Sequence, residues 1–196
     1  MLQAFKEDLK TRDILAVYRK YLLGHKIWYF ETKLGMANHA EIYDDFKIYM
    51  SDRLNLHVNN LAIVGSAKIG FSLTPSKNFK HFNNDSDVDL IIVSRSLFRQ
   101  SWDAFLDISH RFHMPYYSSI TSNIFKRFVS LKDPDIRNSF FNEWTKKVDP
   151  CKKDLQTIFS IPYDINYRIY ESWEAVERYH VNGLYMLKSK LENDDA

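Results

Sequence analysis

The chain has one cysteine, Cys151, in 196 residues. That excludes an internal disulfide framework and a zinc site built on a cysteine cluster. Glycine and proline are scarce too, five of each, which excludes collagen-like or linker-like character and favours long regular elements. No run approaches the roughly 18 apolar residues of a membrane span. Met1 to Lys10 carries Lys6, Glu7, Asp8 and Lys10 where a secretory signal would need an apolar stretch. The expected setting is therefore the cytoplasm, with no membrane partner. Charge of one sign is also missing: 27 Lys and Arg stand against 25 Asp and Glu, a formal +2. Overall charge thus does not mark a nucleic-acid binder, although a local basic groove stays open. What the chain has in quantity is core material, 45% hydrophobic and 15% aromatic, enough for one domain to fold without staples.

Periodicity predicts a helix over Leu2–Leu23, with Phe5, Leu9, Ile14, Val17, Tyr18, Tyr21 and Leu22 on one face and Gly24 as its C-terminal cap. Asn38 and Glu41 have capping-box spacing before a second helix through Ile42, Tyr43, Phe46, Met50 and Leu54. Leu61–Val64 reads as a short buried strand, and Gly65–Asp85 as mostly loop. Val88–Val93 has strand composition with Asp89 inside it. A helix carrying Leu97, Trp102, Phe105, Leu106 and Ile108 follows, then helical patterns over Ser118–Leu131 and Asp135–Lys147. Tyr163–Tyr170 alternates like a strand, and Ser172 can cap a last helix faced by Trp173, Val176, His180, Leu184, Leu187 and Leu191. The expected architecture is α+β (or α/β): a small mixed sheet with helices at both ends of the chain. Its parts are a helical segment over 1–58, a core over 59–170 and a C-terminal helix over 171–196, in one domain.

Chemistry concentrates in two stretches. A buried strand stops at Gly65-Ser66 and continues Ala67-Lys68-Ile69-Gly70-Phe71; further on comes Ser86-Asp87-Val88-Asp89-Leu90. Glycine lets backbone approach a phosphate, and a serine hydroxyl beside N–H groups can cradle its oxygens. Asp87 and Asp89, two apart on a strand, share one face with Cα atoms roughly 6.5–7 Å apart. Paired carboxylates on a rigid strand suit a hard divalent cation that also takes phosphate oxygens.

These two linked motifs resemble the nucleotidyltransferase superfamily with a polymerase-β-like core. They look most like the branch of archaeal CCA-adding enzymes, oligoadenylate synthetases and bacterial cyclic-oligonucleotide synthases. The likeness covers Leu61 to Val93, and Lys68, Gly70, Ser86, Asp87 and Asp89 match that branch's pattern. It implies a nucleoside triphosphate on Gly65 and Ser66, with Lys68 neutralising its charge, and Mg²⁺ or Mn²⁺ on Asp87 and Asp89. The implied reaction is transfer of a nucleoside monophosphate to an acceptor hydroxyl, on an RNA end (tRNA included) or a protein. Small members implied by the resemblance sit in toxin–antitoxin or phage-defence pairs with a cognate partner protein. The third catalytic acid of the family is expected at Asp164, at the head of the last strand. Asp164, Asn166 and Arg168 share one face, however, so Asn166 or Arg168 can take that place instead. Two alternatives follow: a degenerate member that binds nucleotide or a partner without turnover, and a synthase of a cyclic or oligomeric nucleotide messenger.

Other residues read more plainly. His110 and His113 have metal-compatible spacing but no third ligand, and His180 belongs to an apolar helix face. Cys151 lies beside Lys152 and Lys153 without an evident base. The basic side chains of the second half, Lys126, Arg127, Lys132, Lys146 and Lys147 among them, read as a solvated face or an RNA-binding groove.

Overall fold

The computed structural model describes residues 1–194. Its chain enters through α1 (Leu2–Thr11) and α2 (Ile14–Tyr18), the latter running into a π-helical turn at Arg19–Leu23. The single helix expected over Leu2–Leu23 is thus divided. Asp13 starts a new helix by accepting from the Ala16 N–H at 3.0 Å, and Arg12 before it is extended. Gly24 stands at the C-terminal cap as expected, in an extended conformation (φ −59°, ψ 158°). A second π-helical turn (Tyr29–Lys33) leads to α3 (His39–Leu54). Asn38 precedes α3 at φ −94° and ψ 32°, and its side chain makes no capping bond, so the expected capping box is not formed.

The sheet is built from β1 (Leu61–Val64), β2 (Val88–Val93), β3 (Phe128–Leu131) and β4 (Ile165–Tyr170) in the order β1-β2-β4-β3. β1 and β2 are antiparallel, β2 and β4 parallel, β3 and β4 antiparallel. The fold class is mixed α+β, as the patterning predicts. Between β1 and β2 the expected loop contains a short helix, α4 (Gly65–Ile69), and a bridge from Phe71 to His81. After β2 come α5 (Arg95–Arg111) and α6 (Tyr117–Phe125), then β3, where a helix was expected as far as Leu131. Arg127 is left-handed (φ 62°) and stops the helix, and Phe-Val-Ser-Leu then alternates across the sheet. Helix α7 (Ser139–Phe159) outruns its expected end at Lys147 and passes through Pro150. Burial of Phe141, Trp144, Cys151, Leu155 and Phe159 outweighs the backbone bond that proline removes. The last helix, α8 (Trp173–Asp194), is capped as expected by Ser172 Oγ, which accepts from the Ala175 N–H at 3.3 Å. Positions 195 and 196 of the expected C-terminal segment lie outside the described residues.

Period-2 alternation sends the strands' residues to two different environments. Leu61, Ile63, Val88, Leu90, Ile92, Val129, Leu131, Tyr167 and Ile169 form the main core with residues of α3, α5 and α7. On the opposite face Val64, Ile91, Phe128 and Tyr170 are covered by Ala175 and Val176 of α8. The outer half of α8 packs Leu184, Leu187 and Leu191 against Phe5, Leu9, Val17 and Phe71. No helix among the described residues is long and apolar enough to cross a membrane.

Candidate functional site

The second sheet face is apolar under α8 and polar at one end, where β1 and β3 finish and β2 and β4 begin. Val64 pairs with Asp89 across β1–β2, and Asp89 pairs with Asn166 across β2–β4. The chain leaves β1 through Gly65 at φ +68°, and a Cβ there would stand 2.5 Å from Asp89 Oδ2. Only glycine lets the backbone lie against that carboxylate in this left-handed conformation. Gly70 meets two demands of the same kind, φ +85° and a Cβ position 2.9 Å from the Trp28 ring. The loop into β2 is closed by Ser86, whose Oγ accepts from the Asn83 N–H at 3.0 Å and donates to Asn83 Oδ1 at 3.2 Å.

Each carboxylate of the pair already has a cation from the chain itself. Lys132, just past β3, donates to both oxygens of Asp87 at 2.9 and 3.1 Å. Asp89 Oδ1 accepts from Asn166 Nδ2 at 2.7 Å and Arg168 Nε at 3.0 Å. Ser130 Oγ donates to Asn166 Oδ1 at 2.6 Å, which turns the amide nitrogen toward Asp89. The two ion pairs differ in character. Arg168 and Asp89 side chains are 23% and 18% exposed, against 45% and 35% for Lys132 and Asp87. Burial works against the Arg168 charge, yet the Asp89 carboxylate and the Tyr170 and Tyr179 hydroxyls outweigh it and hold arginine above its ordinary value. Hydrogen bonding to Asp87 likewise raises the Lys132 amine.

Asp164 precedes β4, one residue before the Val88–Ile165 pair, and its carbonyl accepts from the Val88 N–H at 2.9 Å. Its exposed carboxylate turns to Lys152 of α7 at 2.6 Å, which lowers its pKa. The position facing Asp89 on β4 is Asn166, the other arrangement that the shared face left open. Lys68 does not join the carboxylates. Its side chain is buried, its ammonium donates to the Gly24 carbonyl, and it forms no ion pair with an acid among the described residues. The geometry therefore brings Gly65 against Asp89, with Asp87 two residues before Asp89 and Ser66 next after Gly65 in the chain, and separates Lys68 from their ion pairs. It adds Lys132, Arg168 and Ser130, which motif spacing did not single out as ligands.

No family model, no curated protein and no solved structure matches this chain.

This donor set does not suit Mg²⁺ or Mn²⁺. Asp87 and Asp89 are both in ion pairs, an amide faces Asp89 on the neighbouring strand, and Asp164, close enough to act on Lys132, is itself paired with Lys152. No group of three or more His, Cys, Asp or Glu side chains able to hold a metal occurs among the described residues. His110 and His113 belong to no such group. What the arrangement offers is two cationic donors, the ammonium of Lys132 and the guanidinium of Arg168, beside the backbone turn at Gly65. Such donors suit phosphate oxygens.

Proposed function

We propose that the chain is a nucleotide-binding module on a nucleotidyltransferase-like sheet, in which Lys132 and Arg168 take the places of metal ions and no nucleotidyl transfer follows. One observation carries this reading: Asp89 is held by Arg168 and Asn166 at 3.0 and 2.7 Å, on the strand where the resembled family would supply its third acid. The charge balance supports it. The Asp87–Lys132 and Asp89–Arg168 pairs are each neutral within themselves, and each keeps a cationic donor at the strand ends. Transition-state stabilisation is another matter, because the developing charge of an in-line displacement needs strong cations placed on both the attacking and leaving oxygens. One lysine and one arginine already engaged with carboxylates do not provide that.

Active transfer to an RNA or protein hydroxyl is the second reading, favoured by the exposure of Lys132, whose departure would free Asp87. Equilibrium binding of each α-³²P-labelled nucleoside triphosphate in EDTA, followed by incubation with Mg²⁺, total RNA and cell extract, separates the two. Retention of label in EDTA without later transfer is expected. Transfer of label that is lost in an Asp87→Ala/Asp89→Ala variant would replace this reading with the transferase. Absence of both binding and transfer would overturn the nucleotide site itself.

A further inference from the structure

Only two side chains that carry a formal charge at neutral pH, Asp8 and Lys68, fall in the buried class among the described residues, and they are treated oppositely. Asp8 receives Arg12 Nε at 2.7 Å, Lys20 Nζ at 2.5 Å and Tyr21 Oη at 2.9 Å. Lys68, 3% exposed, has the Gly24 carbonyl and no acid. A buried cation without an anion is unfavourable unless something else supplies the charge.

Lys68 borders a cavity of about 170 Å³ at the open edge of β1, between the π-helical turn before Gly24, α3 and the start of α8. We propose that this cavity binds a small molecule with one carboxylate and an apolar body, the carboxylate on Lys68 and the hydrocarbon against Leu22, Ile91 and Val176. Tyr43 and His180 are among the other polar groups that line the same space. Tyr43 Oη accepts from the Ile63 N–H at 3.1 Å, which leaves its own proton to donate. His180 Nε2 is buried with no hydrogen-bond partner. The remaining cation of the wall, Lys47, is held by Asp44 at 2.7 Å. One uncompensated positive charge therefore faces the cavity, which matches a monoanion better than a phosphate dianion. The walls point the same way, since most of the lining is aliphatic or aromatic: Leu23, Ala62, Val64 and Trp173 join the three residues named. This inference stands apart from the nucleotide reading, because the cavity shares neither Asp87 nor Asp89 with that site.

The test is a ¹H–¹⁵N NMR titration of the full chain with hexanoate, hexanol and inorganic phosphate in parallel. Hexanoate is expected to give saturable shifts at Gly24, Tyr43, Ala62, Lys68 and His180 with a dissociation constant on the order of 1 mM or tighter, given so small a ligand. Lys68→Met, which keeps the chain length and removes the charge, should weaken hexanoate at least about tenfold while leaving hexanol unchanged. Should that variant not fold, Ala62→Leu narrows the cavity, leaves the lysine in place, and is expected to weaken hexanoate and hexanol together. Absence of hexanoate shifts, equal binding of hexanoate and hexanol by the wild-type chain, equal binding of phosphate, or hexanoate binding unchanged in the variants would each overturn the proposal.

Discussion

Two charged regions flank the short helix α4, and they resolve the same electrostatic problem differently. At its entrance Asp89 lies part-buried against Gly65, with Arg168 and Asn166 supplied by the neighbouring strand. Toward its exit Lys68 is buried more deeply, with a backbone carbonyl and no counter-charge. The first region is closed by the chain itself. The second is left open toward a cavity. A compensated pair is costliest when one partner is removed, whereas an uncompensated charge is costly while it stands.

Breaking the closed region should give the largest effect. Asp89→Ala leaves the Arg168 guanidinium largely buried and unpaired, and urea unfolding is expected to show a loss of about 3 kcal/mol. The double variant Asp89→Leu/Arg168→Met should recover most of it, since neither charge then remains. If the single variant loses under about 1 kcal/mol, the pair is not the closed unit described.

Removing the open charge should act in the other direction. Burial, reinforced by Lys47, pushes the Lys68 amine down to about 8. The folded chain then binds fewer protons than the unfolded chain between pH 8 and the ordinary lysine value. Stability should rise with pH across that window, because the burial penalty is present in full below pH 8 and is relieved above it. Lys68→Met is accordingly expected to gain about 3 kcal/mol at pH 7 and to lose that advantage toward about pH 10.5. A variant less stable than wild type at pH 7, with a parallel pH profile, would mean that Lys68 is compensated after all.

His180 lies between the regions, lining the cavity and sensing Arg168. Burial first, then Arg168, pushes its imidazole down to about 3. Since the unfolded histidine protonates near pH 6.5, stability falls as pH drops below that value. The expected loss is about 1.4 kcal/mol by pH 5.5 relative to neutral pH. In His180→Gln that acid slope should be shallower, as followed by urea midpoints; an unchanged slope would assign it to other groups. The smallest effect belongs to the exposed ion pair. Asp87→Ala and Lys132→Ala should each change stability by less than about 1 kcal/mol, measured the same way.

Much of this contrast is written locally. Alternation in Leu61–Val64 and Val88–Val93 places β1 and β2, and the two-residue spacing places Asp87 and Asp89 on one face. The spacing of Asp164, Asn166 and Arg168 likewise shows that β4 brings an acid, an amide and a base to a common face. Which of them meets Asp89 depends on the β2–β4 register, a long-range property that no local pattern encodes. Lys132 was hidden for a related reason. Its place beside Asp87 follows from β3, and Phe128–Leu131 follows a helix closely enough to read as its last turn until the left-handed Arg127 is known. The burial of Lys68 was illegible as well, because the Gly24 carbonyl that holds it comes from a helix end 44 residues earlier.

The most direct measurement is a titration of the chain with Mn²⁺, following the free ion by electron paramagnetic resonance, with Asp87→Ala/Asp89→Ala alongside. Because Lys132 and Arg168 already neutralise the carboxylates, saturable binding should be absent below about 1 mM, and the two proteins should behave alike. One or two Mn²⁺ ions bound at tens of micromolar or tighter, and lost in the double variant, would contradict the account and restore the carboxylates as a metal site.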